Sequence, residues 1–154
     1  MDIYEILEKL KISYEEVEHE PVFTVEQAAH IKQKLPGTGC KNLFLTDKKG
    51  AYILAVLEES KRAKIKEIER TAGTSHLTFA SPEELEEILS LEPGGVTPLG
   101  IIHDTACRVL LLIDRDLQDK KLLFHPDVNT RTVRIAYQDL IRIIEFAKHK
   151  YMAY

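Results

Sequence analysis

A chain of 154 residues, 44% hydrophobic and 30% charged, has the size and make-up of one folded domain with one core, so residues 1–154 are expected to form a single unit. A net charge of −4 excludes broad coating of nucleic acid, DNA included, and leaves room only for local basic patches. No run approaches the roughly 20 apolar residues that span a bilayer, and the acidic start Met1-Asp2-Ile3-Tyr4-Glu5 lacks a signal-peptide pattern, so cytoplasmic residence away from membranes is expected.

Residues 2–10 predict a short helix, with Asp2 as cap and Ile3, Ile6, Leu7 and Leu10 at helical spacing. Ile12 to Glu18 predicts a strand. Thr24 with Gln27 makes a capping-box pattern that opens a helix to about Lys34, and Pro36-Gly37-Thr38-Gly39 breaks the chain. Leu43-Phe44-Leu45, the turn Asp47-Lys48-Lys49-Gly50 and Tyr52 to Leu57 predict a hairpin. Ser60 is the expected cap of a helix with Ile65, Ile68 and Ala72 inward and Gly73 at its end. Ser81-Pro82-Glu83-Glu84 starts another helix, with cap, first-turn proline and acids on the positive end of the dipole.

Pro93 to Gly100 is the longest glycine- and proline-rich segment and reads as a shaped loop. Val109 to Ile113 predicts a strand buried on both faces. Leu122-Leu123-Phe124 and Thr130 to Ile135 predict a second pair, in which Arg131, Val133 and Ile135 alternate with Thr130, Thr132 and Arg134. Tyr137 to Ala147 closes the pattern as an amphipathic helix. The tail Tyr151-Met152-Ala153-Tyr154 reads as a helix end folded on the core or as a docking surface. The sum is an α+β fold, a mixed, mostly antiparallel central sheet with packed helices.

Several chemistries are unsupported. The six histidines, at 19, 30, 76, 103, 125 and 149, form no HExxH pair, and no metal is expected. No GxSxG elbow or P-loop occurs. Cys40 and Cys107 make neither a disulfide framework nor a CxxC clip. Three polar segments remain. Lys41-Asn42 precedes a buried strand, where a point charge and an amide suit an anionic or carbonyl-bearing ligand; a plain polar strand start is the alternative. The Gly94-Gly95 backbone suits close approach to an oxyanion, or serves as a rigid connector. His125-Pro126-Asp127-Val128-Asn129 is a turn between strands, with Asn129 the residue expected in the turn conformation. Basic candidates for an RNA end are Lys32, Lys34, Lys41, Lys48 and Lys49, and Lys61, Arg62, Lys64 and Lys66.

Taken in order, Lys41-Asn42-Leu43-Phe44-Leu45 with its Asp47-to-Gly50 turn, Gly94-Gly95-Val96-Thr97-Pro98-Leu99-Gly100, and His125-Pro126 with Asn129-Thr130-Arg131-Thr132-Val133 resemble the YbaK/ProX family of aminoacyl-tRNA deacylases. The resemblance runs from about residue 20 to residue 145 and is strongest to the freestanding ProX-type branch. It implies the editing-domain fold, no cofactor, and hydrolysis of mischarged tRNA, above all Ala-tRNA(Pro). Cys-tRNA(Pro) as substrate, or a non-catalytic module that binds tRNA or prolyl-tRNA synthetase, are the alternatives. It makes Lys41, Asn42, Gly94 and Gly95 the catalytic set and Val96, Thr97, Pro98, His125, Asn129 and Thr24 the substrate contacts. The tRNA's own ribose hydroxyl would help activate the water. His103-Asp104 departs from the Asn-Asp expected there. The implied partners are the tRNA acceptor end and prolyl-tRNA synthetase.

Overall fold

The computed structural model describes residues 1–21 and 25–154, and of Val25 the backbone only. Thr24, expected as a helix cap and substrate contact, lies outside the described residues, as does its capping pattern with Gln27.

Helix α1 (Ile3–Lys9) starts in a reciprocal box, in which the Asp2 carboxylate accepts from Glu5 N–H and the Glu5 carboxylate accepts from Asp2 N–H. Strand β1 (Glu15–Glu18) and helix α2 (Val25–Lys34) follow. Strand β2 (Thr38–Thr46) begins inside the segment expected to break the chain, because Thr38 and Gly39 pair in parallel with Leu122 and Leu123 of β6 (Lys121–Phe124). Strand β3 (Tyr52–Glu58) completes the predicted hairpin.

Helix α3 (Ile65–Ala72) is not capped by Ser60; its N-cap is Lys64, without a side-chain cap bond. The Ser60 hydroxyl is bonded to the Glu58 carboxylate instead. Gly73 ends the helix at φ 72°, a conformation that glycine takes without a Cβ penalty. The two-residue strand β4 (Thr78–Phe79) precedes helix α4 (Pro82–Leu89), where Ser81 and Glu84 form the predicted cap. Residues 93–95 and 98–103 are 3-10 turns. Strand β5 (Val109–Ile113), a third 3-10 turn, β6, β7 (Arg131–Ala136) and helix α5 (Tyr137–Phe146) complete the predicted order. The tail is strand β8 (Tyr151–Ala153), not a helix end: it runs parallel to β5 as an edge strand.

Among the described residues the strand order is β1-β7-β6-β2-β3-β5-β8, with β4 on β2. Antiparallel pairs join β1 to β7, β6 to β7, β2 to β3 and β2 to β4; parallel pairs join β2 to β6, β3 to β5 and β5 to β8. The mixed α+β sheet expected from the sequence is therefore present. Its middle is buried on both faces by alternation. Leu54, Val56, Leu111 and Ile113 face the larger core with α1, α4 and α5, while Ile53, Ala55 and Leu112 face α3 through Ile68. Each fully buried Leu or Ile contributes about 1.5–3 kcal/mol, so this double-sided layer fixes β3 and β5, and β2 is held in register by its pairing with β3. No helix among the described residues is long and apolar enough to cross a membrane.

Candidate functional site

One edge of β2 is held at its two ends only. Thr38 and Gly39 pair with β6, and Leu45 and Thr46 pair with β4. Between these short pairings β2 and β6 diverge, and a cavity of about 140 Å³ opens. Gly39, Cys40 and Asn42 of β2, Leu123, Phe124 and His125 at the end of β6, and Thr132 of β7 line it, with Ala28, Ile31 and Lys32 of α2 across from them and Glu59 at its edge. Lys32 and Glu59 form an ion pair there. The Glu59 carboxylate lies so close over Gly39 that any Cβ at 39 would collide with it.

Strand alternation separates the two residues expected to act as neighbours. Asn42 is on the cavity face and donates its amide N–H to Val96 O at 3.1 Å, which ties β2 to the glycine–proline loop. Its Oδ1 is buried without a hydrogen-bond partner. Lys41 points to the α3 side, where its ammonium donates to Lys61 O at 2.6 Å. Successive side chains of a strand leave by opposite faces, so a single pocket does not take both head groups directly. Near Lys41, the Lys61 ammonium is held by Asp114 at 2.6 Å and Asp116 at 2.7 Å, while Arg62, Lys64 and Lys66 are exposed.

The loop residues divide in the same way. Gly94 and Gly95 border a second, wider hollow of about 610 Å³, with Asp127, Val128, Asn129 and Thr130 across it. Gly95 N–H is committed to Glu92 O at 2.9 Å. Val96 supplies the carbonyl that receives Asn42. Thr97 and Pro98 are buried and line neither hollow; Thr97 Oγ1 accepts from Leu99 N–H and caps the 98–103 turn. Asn129 stands in a turn, as expected, and the left-handed residue of the 125–130 segment is Asp127, at φ 68°. His103 has a structural partner in this chain: its Nε2 lies 2.9 Å from Asp127 Oδ2, which fastens the 98–103 turn to the loop that carries His125 and Asn129.

His125 Nδ1 lies 2.9 Å from Arg131 O, a group that only accepts, so the proton sits on Nδ1 and Nε2 carries a lone pair. Burial lowers the His125 pKa, opposed by the bond to Arg131 and assisted by His19 nearby, so the ring is neutral at pH 7. Burial, with Glu58 and Asp114 adding to it, pushes the Cys40 thiol up to about 12. It is a protonated, non-nucleophilic lining group. At pH 8, iodoacetamide is therefore expected to alkylate exposed Cys107 well before Cys40, as read by peptide mass spectrometry; equal labelling would show that the Cys40 thiol is not held protonated. Among the described residues, no three His, Cys, Asp or Glu side chains converge as metal ligands would.

Sequence reasoning put Lys41, Asn42, His125 and the 94–98 loop in the candidate region, named Lys32 only as a basic candidate for an RNA end and Thr132 only within its strand and the third motif, and did not single out Cys40 or Glu59 as lining residues. Thr132 was the legible one, a polar residue in a strand that shares its hairpin with His125. The Lys32–Glu59 pair has no local signal, since its partners are joined only by the packing of α2 over β2.

The fold and this cleft define an α+β domain with a small cavity where its mixed sheet splits. The aminoacyl-tRNA editing domain model matches residues 19–143. The chain is 34% identical over 141 residues to the prolyl-tRNA editing protein ProX of Acetoanaerobium sticklandii, covering 90% of this chain and 86% of that protein. It is 34% identical over 151 residues to the prolyl-tRNA synthetase associated domain-containing protein 1 of Danio rerio, covering 96% and 82%. It also shares its fold with a solved candidate trans-editing enzyme for prolyl-tRNA synthetase, with a TM-score of 0.71 at 21% identity over 91% of this chain and 85% of that one. The chain belongs to the aminoacyl-tRNA editing domain family, as its motifs resembled.

Proposed function

We propose that this chain is a trans-editing hydrolase that deacylates mischarged tRNA, with Ala-tRNA(Pro) as its substrate and residues 1–154 acting as one unit in the cytoplasm. The observation that carries the reading is the cavity of about 140 Å³ between Asn42 and His125. It is smaller than the roughly 300–1,000 Å³ of sites for drug-sized ligands, and it suits one small aminoacyl group. A size filter rejects larger side chains by clash more sharply than it rejects smaller ones, so proline is kept out while alanine enters.

In this reading the ester carbonyl faces Asn42, whose amide is the neutral donor nearest the loop, and the ribose leaves toward the Gly94–Asn129 hollow. Water adds to the carbonyl carbon, the bond to the ribose oxygen breaks, and that oxygen takes the proton, giving free alanine and tRNA. The ribose hydroxyl beside the ester orients the water. Hydrogen-bond donors fixed before the reaction stabilise the oxyanion without having to reorganise.

Lys41, on the α3 side with Arg62, Lys64 and Lys66, holds a phosphate of the acceptor end outside the cavity. Lys41→Ala is then expected to lower kcat/KM about tenfold, the scale of one charge-assisted hydrogen bond, mainly through KM and with a weaker salt dependence. Steady-state deacylation at two salt concentrations checks this; an unchanged KM would remove Lys41 from that role. Prolyl-tRNA synthetase is the partner that such a substrate implies.

Deacylation of tRNA(Pro) charged in turn with Ala, Cys, Ser and Pro tests the whole reading. Alanine is expected first and proline last. Cysteine ahead of alanine would reassign the substrate, equal rates on all four would contradict the size filter, and intact Ala-tRNA throughout would make the chain a binding module.

A further inference from the structure

We propose that Thr132 is the acceptor for the α-ammonium group of the aminoacyl ester, with His19 as the positioning residue that fixes the direction of its hydroxyl. The inference rests on the editing reading and adds a subsite to it.

Thr132 is 5% exposed and lines the cavity. Strands β6 and β7 pair Phe124 with Val133, so the next step of the register sets His125 against Thr132, cross-strand neighbours on one face of the sheet. On its other flank Thr132 pairs with Val17 of β1. Two residues further on, His19 brings Nε2 to 2.8 Å from Thr132 Oγ1. His19 Nδ1 in turn lies 2.8 Å from Glu20 O.

These two distances favour one tautomer and with it one direction for the hydroxyl. A backbone carbonyl only accepts, so the ring tautomer that satisfies Glu20 O has its proton on Nδ1 and turns a lone pair on Nε2 toward Thr132. The Thr132 O–H therefore donates to His19, and Oγ1 has only lone pairs left for the cavity. His125 beside it has the same polarity, with its Nδ1 proton taken by Arg131 O. Two neutral acceptors side by side suit a group rich in N–H. The α-ammonium has three N–H donors, and every aminoacyl ester brings it within two bonds of the reacting carbonyl. Holding the amine at β6 and β7 would also point the carbonyl across the cleft toward Asn42 on β2.

The test uses the full chain and two stable amide analogues of the terminal adenosine, one carrying alanine and one carrying lactate, which has a hydroxyl in place of the amine. Their affinities are measured by calorimetric titration. The parent is expected to prefer the alanyl analogue. Thr132→Val should shrink that preference about tenfold, as the loss of a hydrogen bond to a charged group does, whereas Thr132→Ser should keep it. His19→Phe should shrink it by less, because the freed hydroxyl then rotates. The ratio of the two affinities does not respond to a general loosening of the fold. A parent without preference, or a Thr132→Val protein that weakens on both analogues with the ratio unchanged, overturns the proposal. A parent that shows the preference and its loss in Thr132→Val, yet leaves Ala-tRNA(Pro) intact, supports this subsite and sinks the deacylase reading instead.

Discussion

Replacing Asn42 with either alanine or aspartate is expected to slow single-turnover deacylation of Ala-tRNA(Pro) by about a hundredfold, the lower end of what loss of one oxyanion-directed donor does to kcat. Asn42 links the strand that lines the cavity to the neighbouring glycine–proline loop. Its amide N–H reaches Val96 O at 3.1 Å, and its second N–H and the unpartnered Oδ1 make it the polar wall nearest the reacting carbonyl. Alanine removes both the donor and the link. Aspartate keeps the shape but puts a carboxylate oxygen against the Val96 carbonyl, two acceptors face to face, so the loop is released and a negative charge stands where the oxyanion forms. The pair of variants separates chemistry from volume, and a thermal midpoint for each separates both from unfolding. An aspartate variant as fast as the parent would remove Asn42 from the reaction.

The largest effect on stability is expected at Asp114. Its side chain is fully buried. It accepts from Glu58 N–H at 2.9 Å, Asp116 N–H at 2.9 Å and the Lys61 ammonium at 2.6 Å. Removing the carboxylate leaves the Glu58 and Asp116 N–H groups without their acceptor, while Lys61 keeps Asp116; Asp114→Ala should destabilise by about 1–3 kcal/mol for each N–H left unsatisfied, measured by urea unfolding at pH 7.

Burial by itself would raise the Asp114 pKa, but Lys61 and the two backbone N–H groups outweigh it and hold the carboxyl below its ordinary value. A folded-state pKa below the unfolded one stabilises the protein above the unfolded carboxyl range, and that stability is lost as pH falls through the folded value. The urea midpoint of the parent should therefore drop below about pH 4. Asp114→Asn should show a shallower drop, though not a flat one, because Glu58, bonded by Ser60, and Glu84, bonded by Ser81, shift in the same direction. An acid limb as steep in Asp114→Asn as in the parent would show that Asp114 contributes nothing to it. The same pair anchors the connector that carries Glu59 to the cavity edge, so deacylation by Asp114→Ala should suffer even where the fold survives.

Much of the fold was legible from local rules. Asp2 with Glu5 and Ser81 with Glu84 mark their helix starts because a cap is made within four residues. The apolar run Val109–Ile113 marked a strand buried on both faces, as found. Ser60 misled because a serine before a helix competes with a nearer use for its hydroxyl, here the Glu58 carboxylate. The tail Tyr151–Tyr154 looked like a helix end because nothing in four residues announces that β5 has an open edge to receive it.

Sequence alone determined which residue types stand near the cleft and which family they belong to, since motif order and helix signals are properties of the chain itself. Tertiary structure alone decided how those residues are divided. Because β2 separates from β6 after Gly39 and its side chains alternate, Asn42 enters the cavity while Lys41 reaches the loop behind it. Because β7 lies between β1 and β6, Thr132 meets His19 from 113 positions away. Pairings that close over such separations are set by which faces can be buried together, and no window along the chain contains that information.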